Sequence, residues 1–256
     1  MTAAINWLDL DGVVNMRDLG GLPTTDGTTI REGRLLRSDN LQDLSPSAVQ
    51  HLVEELVLTD VVDLRSHHEV ESEGPGPLHA WSRVAHHHLT LLPDMDASSG
   101  PVDALLVKRD RARRDDDHWA SHYLGYLEHR PESVLAALRV ITQASGATVV
   151  HCAAGKDRTG TVVGMALAVA GVTESAIVAD YAASAQRIDQ ILARLAPRPT
   201  YAGVLKGDPS RQRPKAESMA RFFRALHAKY DGPEGWLASH GWSDADRQEL
   251  RAALRD

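Results

Sequence analysis

The spacing of apolar positions changes period several times along the chain. Leu35 and Leu36 within Arg34–Ser38 mark a short strand, and Ser45 then supplies an N-cap with Pro46 at the first helical position. Val49, Leu52, Val53 and Leu56 repeat at helical spacing, whereas 59–64 is a compact β-branched run that reads as a strand. A further strand falls within 79–92 and is clearest over 84–92. The segment 97–117, with its KRDRARRDDD run, lacks periodicity and predicts a surface loop with self-neutralising charge. From Trp119 the pattern turns helical, and Val134, Leu135, Leu138 and Ile141 give the stretch after Pro131 an amphipathic face.

Ala147–Val150 is a short apolar strand that delivers His151 and Cys152, and the apolar stretch Thr161–Gly171 reads as a buried helix. Thr173 caps a helix running to Ala185, a continuation over 187–195 breaks at Pro197, and two more helices are predicted over 214–230 and 243–254. Strands alternating with helices predict an α/β protein, expected to be one domain over 1–256.

Composition narrows the function classes. With 43% hydrophobic and 25% charged residues the chain reads as an ordinary globular protein. A formal charge of −7 argues against a whole-protein grip on nucleic acid. The longest apolar stretch is far short of the roughly 20 residues a membrane span needs, so no stable membrane insertion is expected. The first residues lack the basic and apolar regions of a Sec leader. A single cysteine permits no internal disulfide, which fits a reducing, cytoplasmic setting and singles out that thiol.

Cys152 to Arg158 carries the chemistry. A tight loop between strand end and helix start turns backbone amides inward, the helix adds the positive end of its dipole, and Ala153, Ala154 and Gly155 permit close approach. That field favours thiolate over thiol at Cys152. Arg158, planar and permanently charged, can clamp two phosphate oxygens. Thr159 is placed for its hydroxyl to bond the thiolate, and His151 to orient the loop. Lys156 adds a second cation at the loop rim. The arrangement predicts a phosphocysteine intermediate and no cofactor. His86 and His88 share a strand face, but no carboxylate or cysteine stands beside them at ligand spacing, so no metal site is expected.

His151-Cys152-Ala-Ala-Gly-Lys-Asp157-Arg158-Thr159 resembles the loop of the protein tyrosine phosphatase superfamily. Asn15-Met-Arg17-Asp18, Gly33-Arg34-Leu-Leu-Arg37-Ser38, Asp63-Leu-Arg65-Ser66 and Val178-Ala-Asp180-Tyr181, in that order, narrow the resemblance to the atypical bacterial phosphatases of the mycobacterial tyrosine phosphatase B type. The resemblance implies a phosphatase fold with a central, mostly parallel sheet flanked by helices and the phosphate loop between a strand and a helix. It also implies, as in some members, a helical lid, here within 187–215. It further implies a proton donor for the leaving group. Asp157 and Asp63 are the first candidates and Asp94, beside Pro93, the third; Asp63 has the competing reading of a buried partner for Arg65 or Arg17. The substrate stays open between a phosphorylated protein, a small phosphorylated metabolite such as a nucleotide or sugar phosphate, and, through Lys156, a phosphoinositide. Non-catalytic phosphate binding and sulfur transfer are the contrasting readings.

Overall fold

The computed structural model describes residues 4–92, 118–202 and 212–255. Among these, one six-stranded sheet runs in the order β1-β2-β3-β6-β4-β5. Its centre is β6 (Ala147–His151), which lies parallel to β3 (Leu35–Ser38) on one side and β4 (Leu58–Asp63) on the other. The strand β5 (Ala85–His88) continues the parallel set, while β1 (Asn6–Trp7) and β2 (Arg17–Asp18) extend the other edge antiparallel. The sheet is therefore mostly parallel, as the resemblance implied.

Successive strand residues face opposite ways, and here both faces are covered. Leu35, Val62 and Val150 enter the larger core, whereas their neighbours Leu36, Val61 and Val149 enter a second one. Strands buried on both faces need continuous apolar runs rather than alternation, and all five residues of β6 are buried.

Ten helices among the described residues flank the sheet: α1 (Pro46–Gln50), α2 (His67–Glu73), α3 (His118–His129), α4 (Pro131–Gln143), α5 (Asp157–Val169), α6 (Glu174–Ala183), α7 (Ile188–Leu195), α8 (Ala216–Tyr230), α9 (Gly232–Ser239) and α10 (Asp244–Leu254). Helix α5 is buried almost all round, which fits its apolar sequence on every face. None of the described helices is long and apolar enough to cross a membrane.

Four local expectations change. The strand expected over 84–92 stops at His88, because Leu91 and Leu92 turn into the larger core instead of pairing. The first helix passes at His51 into a wider π-helical turn ending at Glu55. Helix α2 was not foreseen, although Ser66 and Glu69 form a reciprocal capping box at its start. Thr173 occupies the N-cap position of α6 without a side-chain bond to it. The predicted loop over 97–117 and the candidate Asp94 lie outside the described residues.

Candidate active site

The loop leaves β6 at His151 and enters α5 at Asp157. The carbonyls of Ala153 to Lys156 are held from one side. The Asn40 amide donates to Ala153 O at 3.0 Å, Asn15 Nδ2 donates to Ala154 O at 2.9 Å and Gly155 O at 3.2 Å, and Arg37 Nη2 donates to Gly155 O at 2.8 Å and Lys156 O at 3.4 Å. In a trans peptide the carbonyl of one residue and the N–H of the next point in opposite directions. Fixing these carbonyls outward therefore turns the amides of Ala154, Gly155, Lys156 and Asp157 to the other side, the concave anion nest expected from the sequence. Gly155 is required twice over: its φ is +64°, and a Cβ there would lie 2.3 Å from Ser38 O.

The clamps are themselves fixed by buried charge. Arg17 Nη1 donates to Asn15 Oδ1 at 2.8 Å, and Arg17 Nε and Arg37 Nη1 donate to the two carboxylate oxygens of Asp180 at 2.7 and 2.5 Å. Burial works against the Asp180 carboxylate, but Arg17 and Arg37 more than offset it and hold it below the usual range. Burial and the neighbouring Arg37 bring Arg17 down to about 10, so it stays charged at neutral pH. The Asn15–Arg17, Arg37–Ser38 and Asp180–Tyr181 motifs thus converge on the back of one loop.

Cys152, the only cysteine in the chain, is 2% exposed at the start of the loop. Arg158 meets Glu69 in a two-pronged pair, Nη1 to Oε2 at 2.6 Å and Nη2 to Oε1 at 3.0 Å. Burial pushes the Glu69 carboxyl up, but Arg158 outweighs it and leaves it below the ordinary value. Glu69 Oε2 also accepts from the Ser66 amide at 2.7 Å, so one carboxylate caps α2 and orients the arginine. Sequence reasoning missed Glu69, though the Ser66-x-x-Glu69 spacing was a legible helix-start signal.

The candidate acids separate. Asp63 takes Arg65 side-on, with Nε at 3.0 Å from both oxygens and Nη2 at 2.6 Å from Oδ2, and His151 Nε2 stands 3.7 Å away. Burial disfavours its charge, yet His151 and Arg65 more than offset this and keep it well below the carboxylate range. Burial also pushes His151 down to about 4, so the imidazole is neutral at pH 7 and Arg65 is what holds Asp63 ionised. Asp157 lies within the loop itself. Its Oδ1 accepts from Tyr123 OH at 2.6 Å, and that hydroxyl is 2.5 Å from Tyr181 OH. Tyr123 was not singled out from the sequence.

Two loop residues differ from expectation. Lys156 is 3% exposed rather than a rim cation: its Nζ donates to Gln212 O at 2.6 Å and lies 3.4 Å from Asp157 Oδ2. Thr159 Oγ1 is buried without a hydrogen-bond partner among the described residues, so the expected bond to the Cys152 sulfur is not formed. The carbonyl one helical turn back, Gly155, is already taken by Asn15 and Arg37, which also removes the usual alternative for a helical threonine.

Helix α7 covers the loop. Ile188, Ile191, Leu195 and Tyr201 form one apolar cluster with Ala153, with Ala154 packed against it. Arg194 pairs with buried Asp39, and Arg198 pairs with Glu73 and, at 2.6 Å, with Asp43. Asp39 also accepts from the Asn15 amide at 3.0 Å, tying this cover to the same frame. Tyr201 OH is buried without a hydrogen-bond partner among the described residues, under the charges of Glu69, Arg158 and Arg65. Of the histidines, His86 stacks on His79 at 3.6 Å, His87 bonds Asp60 at 2.8 Å and His88 bonds Arg65 O at 2.8 Å.

The tyrosine phosphatase family model matches residues 8–256. The triple specificity protein phosphatase PtpB of Mycobacterium tuberculosis is 30% identical over 96% of this chain and 98% of its own length. A tyrosine-protein phosphatase of Nostoc commune is 33% identical over 54% of this chain and 49% of its own length. A Cupriavidus necator protein named for the same activity is 31% identical over 96% and 84%. With the match running from residue 8 to the last residue of the sequence, the chain belongs to the tyrosine phosphatase family, cysteine-dependent enzymes of the protein-tyrosine or dual-specificity type.

Proposed function

We propose that Cys152 is the nucleophile and Arg158 the phosphate clamp of a two-step phosphate monoester hydrolysis. The observation that carries the reading is the Arg158–Glu69 pair beside a loop whose carbonyls from Ala153 to Lys156 are pinned outward next to the sole cysteine. Glu69 takes the Nη1–Nη2 edge of the guanidinium, and in this reading two phosphate oxygens bind along its Nε–Nη2 edge. The inward amides of Ala154, Gly155, Lys156 and Asp157 bind the remaining charge.

The Cys152 sulfur attacks phosphorus, the bond to the ester oxygen breaks, and Asp157 gives that oxygen its proton. Water then attacks the phosphocysteine, Asp157 takes the water proton, and the sulfur leaves as thiolate. The Thr159 hydroxyl has no competing partner among the described residues and is the donor we assign to that departing sulfur. Asp63, held ionised by Arg65, belongs to the frame of the loop in this reading. Phosphorylated proteins are the substrates we infer, since Lys156, the residue that favoured a phosphoinositide, is turned to Gln212. A reducing, cytoplasmic compartment fits a nucleophilic thiol.

Turnover of para-nitrophenyl phosphate in EDTA, with a trapped phosphocysteine and loss of both in Cys152→Ser, is the expected result. Undiminished turnover in Cys152→Ser refutes the reading, and a Cys152 persulfide formed from thiosulfate would favour sulfur transfer instead.

A further inference from the structure

Three helices bring their side chains together at Asp157. Asp157 opens α5, Tyr123 comes from the middle of α3 and Tyr181 from α6. Both tyrosines are buried, 0% and 2% exposed, and their rings meet edge-on with centroids 6.0 Å apart. A phenol has one hydrogen to give. Tyr123 gives its hydrogen to Asp157 Oδ1 at 2.6 Å, so the 2.5 Å contact between the hydroxyls must be Tyr181 donating to Tyr123. The direction of the chain is thereby fixed: Tyr181 to Tyr123 to Asp157. Burial, followed by the Asp157 charge, raises both phenols above their ordinary value, so both remain donors throughout the working pH range. Gly160 is part of the same arrangement, since a Cβ there would stand 2.9 Å from Tyr181 Cδ2 and push the ring away.

A hydrogen-bonded, buried donor pair is more than core filling needs, because two phenylalanines would fill the same space without polar atoms to satisfy. Its effect is on Asp157. Oδ1 is tied to Tyr123, which leaves Oδ2, 3.4 Å from the Lys156 ammonium, as the oxygen that exchanges a proton with substrate. A carboxyl held in one orientation delivers its proton without first losing rotational freedom. How much that matters depends on the leaving group. A phenol such as tyrosine ionises near about 10 and leaves with partial help. An aliphatic alkoxide is nearly as basic as hydroxide, whose parent water ionises near about 15.7, and leaves only with a full proton.

We infer that Tyr123 and Tyr181 are positioning residues for Asp157, and that through it they set the enzyme's reach toward phosphate esters with poor leaving groups, alkyl phosphates above all. This rests on the reading of Asp157 as proton donor. Neither hydroxyl touches substrate; the chain acts only through the carboxyl.

The test is a leaving-group series on Tyr123→Phe, Tyr181→Phe, Asp157→Asn and the Tyr123→Phe/Asp157→Asn double variant, each checked for folding by circular dichroism and thermal melting. The substrates are para-nitrophenyl phosphate, phenyl phosphate and a phosphoserine peptide. General acid catalysis is worth roughly 10²–10⁴-fold. Tyr123→Phe is therefore expected to lose about 10- to 100-fold in kcat/KM on phenyl phosphate and the peptide, and less than about threefold on para-nitrophenyl phosphate. Tyr181→Phe, which leaves the Tyr123–Asp157 bond in place, should show the same selectivity at smaller size and stands in if Tyr123→Phe does not fold. In the Asp157→Asn background the selective loss should disappear. Equal losses on all three substrates, or a selective loss that persists without Asp157, overturns the inference. A leaving-group-dependent loss in Asp157→Asn but not in either tyrosine variant overturns the inference alone. No such dependence in Asp157→Asn removes the proton-donor reading as well.

Discussion

Replacing Glu69 tests whether Arg158 is held by its partner or only accompanied by it. Both side chains are buried, and the two bonds between them measure 2.6 and 3.0 Å. Removing one member of a buried pair costs about 3–5 kcal/mol, because the other charge is left without compensation. Glu69→Ala also loses the side-chain half of the α2 capping box, a further contribution of about 1 kcal/mol or less. For a chain of this size each kcal/mol lowers the melting temperature by about 2–4 °C, so a fall of roughly 10–20 °C is expected. Glu69→Gln keeps the shape, the cap acceptor and one bond to Arg158, and should fall by about half as much. Two kinetic effects oppose. Without the carboxylate Arg158 presents more net positive charge to phosphate, which favours binding. It also loses its fixed orientation, and a displacement near 1 Å costs about 10²-fold in rate. Placement should win, with kcat/KM down about 10²-fold in Glu69→Ala and less in Glu69→Gln. The assays are thermal melting and steady-state hydrolysis of para-nitrophenyl phosphate. A Glu69→Ala protein within about 1 kcal/mol of the wild type and within threefold of its kcat/KM refutes the reasoning.

Asp180→Asn leaves Arg17 and Arg37 sharing a neutral amide; a loss of about 3–5 kcal/mol in urea unfolding is expected, with activity falling as the loop carbonyls lose their clamp, and an unchanged unfolding midpoint would contradict this. Stability should fall as pH drops from about 6.5 to about 4, because His151 binds its proton near 6.5 when unfolded but only near about 4 when folded. The folded pKa is the lower one, so this contribution is complete above 6.5 and amounts to roughly 3 kcal/mol, with His86, also lowered by burial, adding in the same sense. The paired carboxylates Asp63, Glu69 and Asp180 act only below their own unfolded values, while Asp18 and Asp39, raised by burial, act in the opposite sense, so the comparison is with His151→Gln: urea midpoints that fall between about pH 6.5 and 4.5 just as steeply in that variant as in the wild type would exclude a buried neutral His151. Tyr201→Phe removes a buried hydroxyl that has no partner among the described residues and lies near the charge of Arg158, the proposed phosphate clamp, so the melting temperature should hold or rise slightly while KM rises several-fold; unchanged KM would show that this hydroxyl takes no part in binding phosphate.

The parts of the fold that could be read in advance are those written in short-range pattern. β6 is a continuous apolar run because both its faces are covered, and α5 is apolar all round because it is buried on all sides. Ser243 and Asp246 announce α10 as a capping box. The strand after Trp81 was overextended because Leu89, Leu91 and Leu92 look the same to a pattern whether they pair or dive into the core. The short β1 and β2 give no pattern at two residues each; their place is fixed by pairing with β3 and by the buried Arg17.

The site divides along the same line. Cys152, Arg158 and the loop glycine lie within seven residues, and the chemistry of phosphate is enough to connect them. Glu69 stands 89 residues from Arg158, and Asp180 stands 163 residues from Arg17. A buried ion pair between distant positions leaves no periodic trace, so such residues show in the sequence only as unexplained polar letters in short motifs. Their placement also explains why those motifs stand in one chain with the loop. An anion nest needs amides pointing inward, trans geometry then forces the carbonyls outward, and buried carbonyls must be met by donors. Asn15, Arg37 and the Asn40 amide are those donors, and Asp180 is what allows two guanidinium groups to be buried side by side behind the loop. The residues that looked like separate signatures are therefore consequences of a single requirement, the inward turn of four peptide N–H groups.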